Sequence, residues 1–157
     1  MADGKQPAPP GEHGREADAV VRGIGTLAKR GRVLVVDDME DNRDLYATFL
    51  EHCGFETDQA VNGEDALAKI TEEPPDVVVM DLAMPKLDGW QATRLVKANP
   101  NTAHVIVIVV TGNATESNIS AAHAAGADAV CRKPCLPKDL LATIEKHLKV
   151  RDGTGRV

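Results

Sequence analysis

The sequence predicts an α/β fold in which five parallel strands form one sheet with helices on both faces. Short, uninterrupted apolar runs recur along the chain, which is typical of strands buried on both sides. Between these runs lie segments with apolar residues at helical spacing, so that strands and helices alternate. Alternation indicates a parallel sheet, because each strand needs a crossover helix, and right-handed crossovers place helices on both faces.

The first strand and helix follow a short N-terminal segment. Residues 33–36 are a continuous run of valine and leucine, which predicts a strand buried on both faces. A helix is expected from Glu40 to about His52, and Gly54 ends it. The side chains expected on its inner stripe are Leu45, Phe49, Leu50 and Cys53.

The second and third strands are predicted at residues 56–61 and 77–81. The helix between them begins at Asn62 and ends before Pro74, because proline disrupts a helix interior. The next helix opens at residues 87–90. The side chains of these two helices that are expected to face the sheet are Ala66, Leu67, Ile70, Leu95 and Val96.

The last two units complete the sheet. Residues 105–110 form the most apolar run of the chain and are predicted to be the fourth strand, and an alanine-rich helix follows at 115–125. The fifth strand is predicted at 128–131. Pro137 suits the first position of a last helix. The apolar stripe of that helix is Leu140, Leu141, Ile144 and Leu148.

Composition limits the class of protein and its partners. The chain has 157 residues, 43% hydrophobic and 27% charged, which is ordinary for one globular domain. We expect a tail at residues 1–31, the folded domain at 32–150 and a second tail at 151–157. A glycine pattern at residues 23–28 resembles a dinucleotide-binding motif, but it precedes a strand instead of following one.

Charge and hydropathy exclude two kinds of partner. The formal net charge of −6 argues against nucleic acid, which needs a basic surface. No apolar stretch approaches the length of a membrane span, and the N-terminus has no apolar signal core, so a cytoplasmic location is expected.

Three cysteines cannot form a closed disulfide framework. Zinc would need more ligands than Cys131 and Cys135 supply, and Cys131 is expected to pack as a small apolar residue.

Five chemically active residues end predicted strands. Asp37 and Asp38 end the first strand, Asp81 the third, Thr111 the fourth and Lys133 the fifth. In open parallel sheets, ligands bind outside the carboxyl ends of the strands, so these side chains should meet on one edge. Three carboxylates suit Mg²⁺, and a lysine beside them suits a phosphoryl group. The pattern therefore predicts a magnesium-assisted phosphoryl-acceptor site.

These residues resemble the response-regulator receiver domain of chemotaxis and two-component signalling proteins. The resemblance covers residues 32–150 and implies a flavodoxin-like sheet of five strands in the order 2-1-3-4-5. The matching pieces, in order, are Val33-Leu34-Val35-Val36-Asp37-Asp38, Asp81-Leu82-Ala83-Met84-Pro85 with Asp88-Gly89, Val110-Thr111-Gly112 and Lys133-Pro134.

The resemblance also implies a metal site. Asp38 and Asp81 would bind Mg²⁺ directly, and the backbone carbonyl of Ala83 would be a third protein ligand. Asp37 would act through a bound water or by supporting the ligands.

The phosphoryl contacts are implied in the same way. Asp81 would accept the phosphoryl group from a phosphohistidine on a sensor histidine kinase or a histidine phosphotransfer protein. Thr111 would donate its hydroxyl to a phosphoryl oxygen, and Lys133 would pair with the phosphoryl group and with Asp81. The domain would thus be a signalling switch that catalyses its own phosphorylation and dephosphorylation. The Lys133-Pro134 bond is a candidate cis peptide that could point the lysine into the site.

The sequence departs from the family pattern at several positions. Val130 occupies the second switch position, where the family has Tyr or Phe, and Gly112 follows Thr111 where Ala is common. Ala83 replaces a polar residue near the metal, and Cys135 replaces an aromatic. Coupling between phosphorylation and the outer face is therefore expected either to run through different side chains or to be weaker.

Two further functions compete with the switch. A pseudo-receiver would bind partners without phosphorylation. A phosphatase of the haloacid-dehalogenase type would usually carry a second Asp at position 83, which is Ala here. For a complete chain we expect an unknown downstream protein to bind helix 115–125, strand 128–131 and helix 137–148. The alternative, a receiver taken from a larger hybrid kinase, stays open.

Overall fold

A computed structural model of the chain describes residues 30–82 and 89–153. In this part, five parallel strands form one sheet in the order β2-β1-β3-β4-β5, which confirms the predicted fold class. The strands are β1 (Arg32–Val36), β2 (Glu56–Ala60), β3 (Val77–Asp81), β4 (Ile106–Thr111) and β5 (Ala129–Arg132). The helices are α1 (Glu40–His52), α2 (Gly63–Glu72), α3 (Gly89–Ala98), α4 (Glu116–Ala124) and α5 (Pro137–Asp152).

The central strands are covered on both faces, which explains their uninterrupted apolar runs. Every residue of β3 and of β4 is buried. Val33 and Val35 of β1 pack with α1 and α5, whereas Leu34 and Val36 pack with helices of the opposite face, α2, α3 and α4. Successive side chains of a strand point to opposite faces, so one apolar run serves two cores.

Helix boundaries follow local capping chemistry. Asn62 caps α2 through a bond of 2.8 Å from the Asp65 amide to its side-chain oxygen. Thr115 caps α4 by accepting from the Asn118 amide at 3.1 Å. Each such cap stabilises a helix by about 1 kcal/mol. Gly153 ends α5 with a φ of 82°, a conformation that glycine adopts without strain.

Two helix faces differ from the expectation. Leu45 and Leu95 were expected to face the sheet but are 54% and 50% exposed. In α1 the buried positions are Tyr46, Ala47 and Leu50, and in α3 they are Gly89, Ala92, Thr93 and Val96. Each leucine therefore lies about 100° around its helix from the buried stripe, beside it but outside the core.

The packed region extends slightly beyond both predicted ends of the domain. Arg30 lies over the Phe55 ring, 4.8 Å from its centroid, and pairs with Glu145. At the other end α5 continues through Asp152, where a tail was predicted from residue 151. The predicted tails at 1–29 and 154–157 lie outside the described residues. Throughout 30–82 and 89–153, every helix is too short or too polar to cross a bilayer.

Candidate functional site

Three acids meet at the carboxyl ends of β1 and β3. Asp37 and Asp81 are buried, at 4% and 5% exposure, while Asp38 is exposed. One carboxylate oxygen from each residue lies within 4.8 Å of the others. Neighbouring strands β1 and β3 are in parallel register, with Val36 beside Met80, so the residues that follow them emerge side by side. The sequence prediction that these acids share one edge is therefore confirmed.

The chain around Asp37 fixes its carboxylate. The Met39 amide donates to Oδ1 at 2.9 Å, and the Asn42 side-chain amide donates to Oδ2 at 3.3 Å. Arg43 donates to the Asp37 carbonyl oxygen at 2.8 Å and to the side chain of Gln59 at 3.0 Å. These bonds join the end of β1 to α1 and β2. Sequence analysis missed Asn42 and Arg43, because nothing in the spacing of an exposed helix start marks such contacts.

Lys133 brings a positive charge to Asp81. Its Nζ lies 3.6 Å from Asp81 Oδ1, and its backbone amide donates to the Thr111 carbonyl oxygen at 2.8 Å. The bond between Lys133 and Pro134 is cis, as the sequence suggested. The lysine side chain keeps 35% of its surface exposed, whereas the Asp81 side chain is buried.

Thr111 lies at the end of β4, next to the strand that carries Asp81. Its hydroxyl oxygen accepts from the Asn113 amide at 3.0 Å, which leaves the hydroxyl proton for another acceptor. Beside it is a cavity of about 250 Å³ lined by Leu82, Trp90, Thr111, Asn113 and Asn118. The threonine hydroxyl thus stands between a pocket and the loop that leads to α4.

The remaining two predicted site residues are Ala83 and Val130. Ala83, the expected carbonyl ligand, lies outside the described residues. Val130 is half-buried and packs against the cluster formed with α2, α3 and α4, on the face away from Cys131. The side chain at the second switch position therefore contributes to packing beside α4.

The donor set matches a hard divalent cation. Mg²⁺ prefers oxygen ligands and binds through one or two carboxylates together with waters and phosphate oxygens. Asp37, Asp38 and Asp81 offer three carboxylate oxygens in one cluster. Two of these carboxylates are buried, and clustered anions repel one another, so a cation would stabilise the arrangement. The residues present therefore fit Mg²⁺.

Comparisons with known proteins agree with this geometry. A family model described as the response regulator receiver domain matches residues 33–145. The protein PilH of Pseudomonas aeruginosa is 37% identical over 117 residues, which cover 74% of this chain and 97% of PilH. A probable chemotaxis protein CheY of Rhizobium etli is 33% identical over 121 residues, covering 76% of this chain and 94% of that protein.

Solved structures show the same likeness. A CheY-like response regulator receiver domain protein from Methanospirillum hungatei superimposes with a TM-score of 0.72 at 33% identity, covering 79% of this chain and 98% of that one. The chemotaxis response regulator CheY4 of Vibrio cholerae gives a TM-score of 0.70 at 28% identity, covering 73% and 96%. The family match at residues 33–145 includes β1 and β3, the strands at whose carboxyl ends the three acids lie.

Proposed function

Because this chain belongs to the response regulator receiver domain family, we propose that Asp81 is the residue that accepts the phosphoryl group. Receiver domains are the phospho-accepting signalling domains of two-component systems. The observation that carries the assignment is the position of Asp81, which has Lys133 Nζ at 3.6 Å and two more carboxylates within 4.8 Å.

The chemistry follows from positioning and charge. A carboxylate oxygen of Asp81 attacks the phosphorus of a phosphohistidine, the phosphorus–nitrogen bond breaks, and the electron pair returns to the imidazole, which takes a proton. A carboxylate is a weak nucleophile, so it must be aimed in line. Burial at the end of β3 restricts the orientations of this side chain. Lys133 stabilises the charge that spreads over the phosphoryl oxygens.

Magnesium dependence is part of the proposal. Asp38, Asp81 and the carbonyl of Ala83 would hold the ion, and Asp37 would support it through a bound water. Bound Mg²⁺ supplies positive charge that offsets the repulsion between a phosphoryl group and the carboxylates. Asp37 is well suited to support, because both of its oxygens already accept hydrogen bonds from residues of the loop and α1.

Signalling would pass from Asp81 to the outer face through Thr111. Phosphorylation adds a charge of about −2 and strong acceptor oxygens. Thr111 would turn its hydroxyl toward one of them, which would weaken its bond from Asn113 and shift the start of α4. Val130, packed beside α4, would transmit that shift. In α4 only Ala122 is buried, so most of this helix is available to a downstream protein, together with β5 and α5.

The donor would be a sensor histidine kinase or a histidine phosphotransfer protein, and we place the domain in the cytoplasm. Both assignments rest on the family and on the sequence. Autophosphorylation from a small phosphodonor and self-catalysed dephosphorylation would accompany this role, because the same site binds the metal and the phosphoryl group.

Acetyl phosphate tests the proposal directly. Incubation with Mg²⁺ should raise the intact mass by one phosphoryl group, and a metal chelator should prevent it. Asp81→Asn should remove the adduct, whereas Asp58→Asn, which changes an acid on β2 that is not part of the cluster, should keep it. A wild-type chain that gains no adduct would instead be a pseudo-receiver. Continuous turnover of varied phosphate esters would indicate a phosphatase.

A further inference from the structure

Two free cysteines flank Lys133 on the face of the sheet covered by α1 and α5. Cys135 is a buried member of that core cluster, and Cys131 packs against it, half-buried. Only Arg132, Lys133 and Pro134 separate them. The third cysteine, Cys53, packs against the same cluster from the end of α1.

The two thiols have a shared polar environment inside this apolar cluster. Cys131 and Cys135 lie near enough for each thiol to shift the pKa of the other. Cys131 Sγ also lies 3.9 Å from the Thr143 hydroxyl oxygen, and Cys135 Sγ lies 4.0 Å from the Leu136 carbonyl oxygen. The Tyr46 hydroxyl reaches the same place and donates to the Cys135 carbonyl oxygen at 2.7 Å. Both thiols therefore lie in the same core cluster, four positions apart in the sequence, and each has a polar partner there.

We propose that Cys131 and Cys135 are an oxidation site, at which a hydroperoxide such as hydrogen peroxide closes an intramolecular disulfide around Lys133. Neither thiol takes part in the phosphoryl chemistry proposed above.

The two cysteines differ in the way that such a reaction requires. The hydrogen bond from Cys135, assisted by Thr143, lowers the pKa of Cys131 although burial opposes it. The bond to Cys131 and burial together raise the pKa of Cys135, which therefore stays a thiol. Burial raises the pKa of Cys53 as well. Because the thiolate is the nucleophile, Cys131 is the residue that should react first.

The atoms balance in two steps. The Cys131 thiolate attacks one peroxide oxygen, the oxygen–oxygen bond breaks, and a sulfenic acid and hydroxide form. The Cys135 sulfur then attacks the Cys131 sulfur, the sulfur–oxygen bond breaks, and the hydroxyl group leaves as water with the Cys135 proton. Two thiols and one hydrogen peroxide thus give one disulfide and two waters.

The disulfide would act on Lys133, and this part of the inference rests on the proposed function. Two bonded sulfurs lie about 2 Å apart, closer than any unbonded pair. Drawing residue 135 toward residue 131 strains both backbone ties of the intervening segment, from Lys133 to Thr111 and from Tyr46 to Cys135. We therefore expect Lys133 to withdraw from Asp81 and phosphorylation to slow about tenfold, the effect of losing part of one charged contact.

Mass spectrometry of the whole chain tests the site without any phosphoryl chemistry. After hydrogen peroxide treatment, the intact mass should fall by two hydrogens, and peptide mapping should find the Cys131–Cys135 bond. Cys131→Ser and Cys135→Ser should each prevent the bond, and Cys53→Ser should not. A wild-type chain that forms no disulfide, or one that bonds Cys53 or a second chain instead, would overturn the site.

Phosphorylation by acetyl phosphate is then compared in the oxidised, reduced and re-reduced protein. Slower adduct formation after oxidation, restored by reduction and absent in Cys135→Ser, is the expected result. An equal rate in all three samples would refute the effect of the disulfide on Lys133, whereas the mass result for the disulfide itself would still hold. If the reduced wild type also fails to react, the proposed function fails, and the mass result for the oxidation site is unaffected.

Discussion

Gly89, the first residue of α3, lies directly against the backbone of Asp81. A Cβ atom at position 89 would stand 2.4 Å from the Asp81 carbonyl oxygen and 2.8 Å from the Leu82 Cα. Real Cβ atoms do not approach backbone that closely, so only glycine allows α3 to start at this point. Gly89 belongs to the motif that resembles the receiver family, but the spacing of that motif gives no physical reason for a glycine at this position.

Gly89→Ala should therefore disturb Asp81 itself. The added methyl group must push α3 away from the end of β3, with a loss of about 1–3 kcal/mol in the free energy of unfolding. Phosphorylation by acetyl phosphate should slow markedly, because an aimed nucleophile tolerates little displacement. Chemical denaturation and adduct formation by mass spectrometry measure the two effects.

Gly112→Ala is the matched control for that variant. Its Cβ would meet only Lys133 Cδ and Cβ, at 3.8 and 3.9 Å, which is ordinary contact. Stability and phosphorylation should stay close to wild type. Equal damage from both alanines would show that the contact between Gly89 and Asp81 is not what matters.

Removal of the lysine charge should slow phosphorylation. In Lys133→Met, Asp81 loses the Nζ that lies 3.6 Å away, and the phosphoryl charge loses a stabilising partner. We expect a rate roughly 100-fold lower, as for the loss of one preorganised charge contact. Mg²⁺ affinity should not fall, since one competing cation is gone. Lys138→Met, on the exposed start of α5, should leave both quantities unchanged; similar rates for the two variants would contradict this role.

Asp37→Asn should have opposite effects on metal binding and on metal-free stability. One negative charge leaves a cluster of three carboxylates, so Mg²⁺ affinity should fall about 10–100-fold, as for other residues that support metal ligands. Without metal, the midpoint of thermal unfolding should rise, because like-charge repulsion is relieved. Trp90, the single tryptophan, lines the neighbouring cavity and can report metal binding by fluorescence.

Asp58→Asn provides the comparison for this experiment, because Asp58 lies on β2 and pairs with Arg32 and Lys69. Its metal affinity should match wild type. An Asp37 variant that binds Mg²⁺ normally would remove residue 37 from the proposed metal site.

Tyr46→Phe should loosen the segment after Lys133. The buried hydroxyl donates to the Cys135 carbonyl oxygen at 2.7 Å, and its loss leaves that acceptor without this partner. The free energy of unfolding should fall by about 1–2 kcal/mol near neutral pH. Thr48→Val, which removes an exposed hydroxyl from the same helix, should be nearly neutral. Equal stability of the two variants would show that the bond contributes little.

The same tyrosine predicts a pH dependence. Burial, together with the nearby Cys135 thiol, raises the pKa of Tyr46 above its ordinary value. A group whose pKa is raised by folding contributes stability that is complete below the unfolded pKa, about 10, and is lost as pH rises toward the folded pKa. The stability gap between wild type and Tyr46→Phe should therefore narrow above pH ~10, as measured by denaturation at several pH values.

The alternation of elements could be predicted from the sequence because the three central strands, β1, β3 and β4, are buried on both faces. The runs at 33–36, 77–80 and 105–110 contain only apolar residues, and they lie in the three central strands. The expectation failed for Leu45 and Leu95, which are exposed. A leucine at the margin of an amphipathic stripe is compatible with either side, and only the docking angle of the helix on the sheet decides between them.

The position of the site could also be predicted from the sequence, because parallel strands bring their carboxyl ends to one edge of the sheet. The sequence by itself determined which residues would stand there: Asp37, Asp38, Asp81, Thr111 and Lys133. Tertiary structure alone decided how each is held, through Arg43 and Asn42 on Asp37, Gly89 behind Asp81 and Tyr46 on the segment after Lys133. Period and spacing depend on neighbours along the chain, whereas these contacts join elements brought together only when helices pack on the sheet.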